Sequence, residues 1–195
     1  LRACVALLAS RGLHEELTGD AHGGVQNMHA EPALRIGGVA IFIGMLAAWY
    51  AARGEVAGML GVLVVAGFPA FLFGLFEDVS NQVGIRLRLV ATAASGLIAC
   101  SLSGITLDEV HVWGLDYLLA WLPLSLAFTA FAVAGVANAF NVIDGLNGLS
   151  SGTMILVALG LAGIALVVGD TVLAAVCLQL GLVVFGFLVV NLLTG

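Results

Sequence analysis

Lysine is absent from this chain of 195 residues, and its six basic residues are all arginines. That excludes a pyridoxal-phosphate Schiff base, a Walker A phosphate loop and a lysine-rich nucleic-acid surface, each of which needs the missing amine. Charge of either sign is scarce: 9% of the residues are charged, and twelve acids against six bases leave a formal charge of -6. Cysteine is nearly as rare. Cys4, Cys100 and Cys177 lie far apart in apolar runs with no Cys-x-x-Cys spacing, which reads as packed, reduced thiols and not as a metal cluster. A cleavable leader is not recognisable either, since the opening run 1–9 lacks a basic start and a small-residue cleavage site, and it is too short to cross a bilayer.

Apolar surface is what the chain has in abundance. Hydrophobic residues make up 62% of it, and the mean hydropathy is +1.16, far above that of a soluble domain. Backbone groups find no water in hydrocarbon, so each apolar run must satisfy its own hydrogen bonds as a helix. The expected fold is therefore an all-α integral membrane protein, a polytopic helix bundle with runs at 36–52, 56–76, 87–102, 117–137, 149–168 and 171–193. Run 1–9 reads as a partial first helix, and the last run gives way to polar residues at Asn191–Gly195. Residues 1–195 are thus expected to form a single transmembrane catalytic domain, truncated at both ends and part of a larger bundle.

Six crossings put segments 10–35, 77–86 and 138–147 on one side of the membrane, and 53–55, 103–116 and 169–170 on the other. Arg11, Arg35, Arg86 and Arg88 flank the first side against Arg53 on the second, so the polar motifs are expected to face the cytoplasm. Trp113 and Tyr117, in the longest opposite loop, read as headgroup anchors.

Three polar constellations lie on the motif side. Glu77-Asp78 closes an apolar run, where adjacent carboxylates repel unless they share a cation or a proton, as a magnesium site provides. The plainer reading is that the pair marks the water boundary. Asn138, Asn141 and Asp144 recur every third residue, which on a helix forms one slowly winding stripe of two amides and a carboxylate. Asn147 follows, and Gly145 and Gly148 would let a bulky ligand approach the backbone. The third is His29-Ala-Glu-Pro32-Ala-Leu-Arg35-Ile-Gly37-Gly38, in which Arg35 offers a phosphate-binding fork and the glycines permit close approach near a helix start. Arg35 could equally be a topology anchor. Arg86 and Arg88 are weaker candidates that gain interest from their nearness to the acidic pair.

Other patterns read as structural. Gly54-x-x-x-Gly58 and Gly148-x-x-x-Gly152, among 26 glycines, are expected at close helix contacts. Gly148-Leu-Ser150-Ser151-Gly152 fits the hydrolase-elbow pattern, but no histidine follows His111, so that chemistry is rejected. His14, His22 and His29 lack a zinc-ligand spacing.

Taken together, His29-x-x-Pro32-x-x-Arg35-x-Gly37-Gly38, Gly74-Leu-Phe-Glu77-Asp78 and Asn138-Ala-x-Asn141-x-x-Asp144-Gly-x-Asn147-Gly-Leu resemble the polyprenyl-phosphate N-acetylhexosamine-1-phosphate transferases. The resemblance runs along essentially the whole chain in the same order. It implies transfer of a sugar phosphate from a UDP-N-acetylhexosamine to a polyprenyl phosphate in the bacterial inner membrane, with release of UMP. It also implies a magnesium ion, with manganese as a substitute. By the same resemblance Glu77, Asp78 and Asp144 are the catalytic and metal positions. Arg35, Gly37, Gly38, Asn138, Asn141, Asn147, Arg86 and Arg88 would contact substrate, and a homodimer is admissible. Glu77 stands where the family usually has aspartate, which favours the branch that initiates O-antigen over the peptidoglycan translocase. The family's Gly-Asp motif and histidine-rich loop would follow Gly195, so the fragment alone is expected to be inactive. The competing reading is a secondary transporter, which should carry ionisable residues in mid-span and inverted repeats.

Overall fold

The computed structural model describes residues 37–80, 84–143 and 148–194. Seven helices occupy them: α1 (Gly37–Ala51), α2 (Gly54–Ser80), α3 (Ile85–Ser103), α4 (Leu115–Leu119), α5 (Leu122–Ile143), α6 (Leu149–Val168) and α7 (Thr171–Thr194). Among the described residues there is no strand. Five of these helices are long and apolar enough to cross a membrane, and α1, at 15 residues, is shorter. The chain is a polytopic membrane bundle.

Many large apolar side chains lie outside, and alanines supply much of the interior beside Leu60, Leu119 and Val176. Leu156, Val167 and Leu182 are exposed, whereas Ala91, Ala130, Ala134, Ala158, Ala162, Ala165 and Ala174 are buried. Hydrocarbon solvates leucine as well as a protein core does, so spanning helices associate by close packing of small residues.

The helices form a chain of neighbours. α5 packs on α3, α3 on α2, and α2 on both α1 and α7, while α6 pairs with α7. Phe42 of α1 stacks on Phe71 of α2 with ring centroids 4.1 Å apart, and Gly61 makes room for the Trp49 indole. These contacts fix α1 antiparallel to α2. The short α1 consequently still brings Gly38 level with Asp78, as two crossings require.

Turns are closed by specific groups. Arg53 donates to the carbonyls of Tyr50 and Ala52 at the C-terminus of α1, where a cation suits the helix dipole. Asp170 accepts from the Leu173 N–H at 2.8 Å and caps α7. The loop 104–114 is tied down by side chains of α5: Thr129 Oγ1 accepts from the Leu107 N–H at 2.8 Å, and Ser125 Oγ donates to the Leu107 carbonyl at 3.1 Å.

Three expectations need correction. The run expected at 117–137 is split into α4 and an α5 that begins at Leu122 and continues to Ile143. Pro123 falls in the first turn of α5, where its missing N–H costs no hydrogen bond, so the span starts there. The run expected to close at 76 continues as helix through Ser80, whose hydroxyl bonds the Phe76 carbonyl. Finally, a Cβ on Gly54, Gly58 or Gly152 would meet nothing within 4 Å. Gly148 does stand at a close contact, where a Cβ would lie 3.0 Å from Leu188 Cδ1, and Gly37, Gly44, Gly61 and Gly96 are close contacts outside the two motifs. Gly54 and Gly148 have φ of +57° and +80°, a conformation that favours glycine.

Candidate functional site

Glu77 lies near the end of α2, Arg88 in the first turns of α3 and Asn141 in the last turn of α5. The antiparallel packing of these three helices brings them together. Arg88 Nη1 donates to both carboxylate oxygens of Glu77, at 3.1 Å each. Its guanidinium also reaches Asn141. With the carboxamide turned so that its oxygen faces the donors, Asn141 accepts from Nη1 and Nη2 at 3.2 Å each.

The pair is partly withdrawn from solvent, with Arg88 and Glu77 side chains 20% and 30% exposed. Its location explains why it forms. Arg86 and Arg88 sit at the N-terminal end of α3, behind Gly84, which offers no side-chain cap. Cations are disfavoured at that positive end of the helix dipole, and Glu77 supplies the opposing charge. Arg86, two positions earlier, points away from Arg88 and is exposed.

Glu77 and Asp78 therefore part company. Successive helical residues point about 100° apart. Glu77 turns to α3 and α5, while Asp78 lines a cavity of ≈ 140 Å³ with Gly38 and Val39 of α1 and Phe71, Gly74 and Leu75 of α2. That cavity joins the paired-glycine motif to the acidic motif. Gly38 has open space where a Cβ would be, whereas a Cβ on Gly37 would meet the Phe187 ring at 3.0 Å, so Gly37 serves the packing of α1 on α7. Asn138, one turn before Asn141 on α5, is half-buried towards the same end.

Arg35, Asp144 and Asn147 lie outside the described residues, as do His29 and Pro32. Among the described residues no three of His, Cys, Asp and Glu come together as metal ligands. Asp78 is the carboxylate that lines the cavity beside Gly38. Sequence reasoning placed Arg88 beside the acids in sequence but missed its bridge to Asn141, which depends on how three helices pack. It also missed Ser95 of α3, whose hydroxyl accepts from the Ala70 N–H at 3.2 Å. Pro69 inside α2 was the available signal, because a proline in a span leaves backbone groups for a neighbouring side chain to meet.

The family model described as glycosyl transferase family 4 matches residues 59–194. That stretch holds the acidic pair, Arg88 and the amide stripe. A Bacillus subtilis protein named "Probable undecaprenyl-phosphate N-acetylglucosaminyl 1-phosphate transferase" is 27% identical over 168 residues, 85% of this chain and 46% of that protein. The undecaprenyl-phosphate alpha-N-acetylglucosaminyl 1-phosphate transferase of Yersinia pestis is 27% identical over 159 residues, 80% of this chain and 42% of its own. The phospho-N-acetylmuramoyl-pentapeptide-transferase of Desulforamulus reducens is 27% identical over 189 residues, 88% of this chain and 56% of its own. The chain spans about half the length of these curated relatives. No solved structure is a significant match.

Proposed function

The chain belongs to glycosyl transferase family 4, and on that premise we propose that it carries the reaction site of a polyprenyl-phosphate N-acetylhexosamine-1-phosphate transferase. An oxygen of the lipid phosphate attacks the sugar-linked phosphorus of a UDP-N-acetylhexosamine. A new phosphorus–oxygen bond forms, the bond to the bridging diphosphate oxygen breaks, and UMP leaves with that oxygen. The products are UMP and a polyprenyl-diphospho-sugar. UDP-N-acetylglucosamine is the first donor to try, because two relatives are named for that sugar. The product would start a cell-envelope polysaccharide, with Glu77 in the first acidic position favouring the O-antigen branch.

The observation that carries this reading is the Glu77–Arg88–Asn141 cluster beside Asp78 and Gly38, all at one end of the bundle. Two phosphates meeting at a membrane boundary need placement and charge neutralisation more than covalent catalysis. Arg88 fixes the Glu77 carboxylate and so aligns α2, α3 and α5. Asp78 lines the cavity, and Asp78 and Asp144 would hold a magnesium ion. When bound, that ion would screen the approach of the two phosphates. Asn138, Asn141 and Asn147 offer donors and acceptors to the nucleotide, and Arg35 and Arg86 offer cations to phosphate. The arginine bias favours a cytoplasmic site in the bacterial inner membrane. Among the described residues no charged side chain lies in mid-span, which weighs against the transporter reading.

The test uses the full-length protein in membranes supplied with polyprenyl phosphate, magnesium and a panel of UDP-N-acetylhexosamines, with the released nucleotide identified by mass. UMP that appears only with the lipid phosphate supports the proposal. Release of UDP would mean ordinary glycosyl transfer, and release of neither would return the transporter to first place. Asp144→Asn should abolish lipid-linked sugar formation while the protein still inserts in the membrane.

A further inference from the structure

Pro69 lies well inside α2. It has no N–H for the carbonyl of Val65, and its ring crowds the preceding turn, so a helix bends or loosens at such a point. The next backbone donor, the Ala70 N–H, is held by Ser95 Oγ across the α2–α3 interface at 3.2 Å. Ser95 is buried, 7% exposed.

The position of this bond relates it to the site. Seven residues separate Ala70 from Glu77 on α2, and seven separate Arg88 from Ser95 on α3. The two tethers therefore lie on one interface, two turns apart on each helix. Seven helical residues span about 10.5 Å, so a pivot of about 10° at Pro69 would carry Glu77 by about 2 Å, beyond the reach of its bonds to Arg88.

We infer that Ser95 is a positioning residue: its hydroxyl holds α2 at the proline break and sets the direction in which Glu77 and Asp78 are presented to Arg88 and to the cavity beside Gly38. Its catalytic consequence rests on the function proposed above, whereas its geometric consequence does not. Ser95→Ala removes the hydroxyl and leaves a small buried side chain, so a role in packing alone would survive it. Ser95→Thr keeps the hydroxyl.

The experiment places spin labels at the exposed positions Val79→Cys and Leu87→Cys of the full-length protein, with Cys4→Ser; Cys100 and Cys177 are buried. Ser95→Ala should shift or broaden the inter-label distance by about 2 Å, the lever-arm displacement above, and Ser95→Thr should not. In a Pro69→Ala background, where the helix ladder is restored, Ser95→Ala should leave the distance unchanged. An unaltered distance in Ser95→Ala, or an equal shift with Pro69 replaced, overturns the inference. In the transfer assay Ser95→Ala should lower kcat about 10- to 100-fold, the penalty expected of ångström-scale misplacement, with KM for the UDP-sugar within about twofold of wild type. A shifted distance in a protein that transfers no sugar phosphate would refute the proposed function and leave the positioning role standing.

Discussion

Arg88 answers to two partners at once, and that decides how its substitutions should behave. The guanidinium gives Nη1 to both Glu77 oxygens and still presents Nη2 to Asn141, but an ammonium is a point charge without that plane. Arg88→Lys should therefore keep the charge and lose the bridge, with transfer reduced about tenfold. Arg88→Ala leaves a partly buried carboxylate without its counter-ion, which costs about 1–3 kcal/mol of stability and should reduce transfer by more than about 100-fold. Arg86→Ala, which removes a cation offered to phosphate but no part of the bridge, should lower transfer and leave stability unchanged. Initial rates in membranes and thermal melting in detergent separate the two effects. If Arg88→Ala matched wild type in both, the cluster would have no functional weight. The sequence showed Glu77-Asp78 as two acids ending an apolar run, and helical geometry alone separated their directions. Which acid met the cation was illegible, because that depends on the side of α2 on which α3 packs.

At the scale of helices, the four-residue motif found Gly148, which meets Leu188, but most close contacts are made by other glycines. Gly37 and Gly44 lie seven residues apart on α1 and meet Phe187 and Val183 of α7. A Cβ on Gly44 would stand 2.7 Å from Val183 Cγ1, so Gly44→Ala should destabilise the bundle by about 1–3 kcal/mol through overpacking. Val183→Ala should restore most of that loss, and Gly58→Ala, with open space around it, should be near neutral. Melting temperatures of the three variants in one detergent check this, and a Gly44→Ala protein as stable as wild type would show that α1 and α7 do not pack so closely. Five runs had their apolar stretches legible because lipid forces each one to be a helix. Their ends were less legible, since hydropathy stops at Glu77 and Asn138 while the hydrogen-bond ladder continues to Ser80 and Ile143. The break before Leu122 lies inside apolar sequence and was marked only by Pro123.

Across the whole molecule, the aromatic residues with polar atoms are divided as unequally as the polar motifs. The chain has three tryptophans and two tyrosines. Trp49 and Tyr50 end α1, Trp113, Tyr117 and Trp121 surround α4, and all five lie at the end of the bundle opposite Glu77, Arg88 and Asn141. Trp113 is fully exposed, Tyr117 is 87% and Tyr50 88% exposed. Indole and phenol rings favour the headgroup layer, where the ring is screened from water and the polar atom stays wet. The loop that carries them is held to α5 through Leu107, and within it Asp116 accepts from the Val110 and His111 N–H groups. These five residues should therefore sit in the headgroup layer at the interface away from Glu77, Arg88 and Asn141. In vesicles, tryptophan fluorescence should be quenched more by lipids brominated near the headgroup than by lipids brominated at the chain end. An aqueous quencher should act chiefly from the side opposite the nucleotide site. Strongest quenching from the chain end, or aqueous quenching confined to the nucleotide side, would mean that α4 is buried in hydrocarbon or that the crossings run the other way.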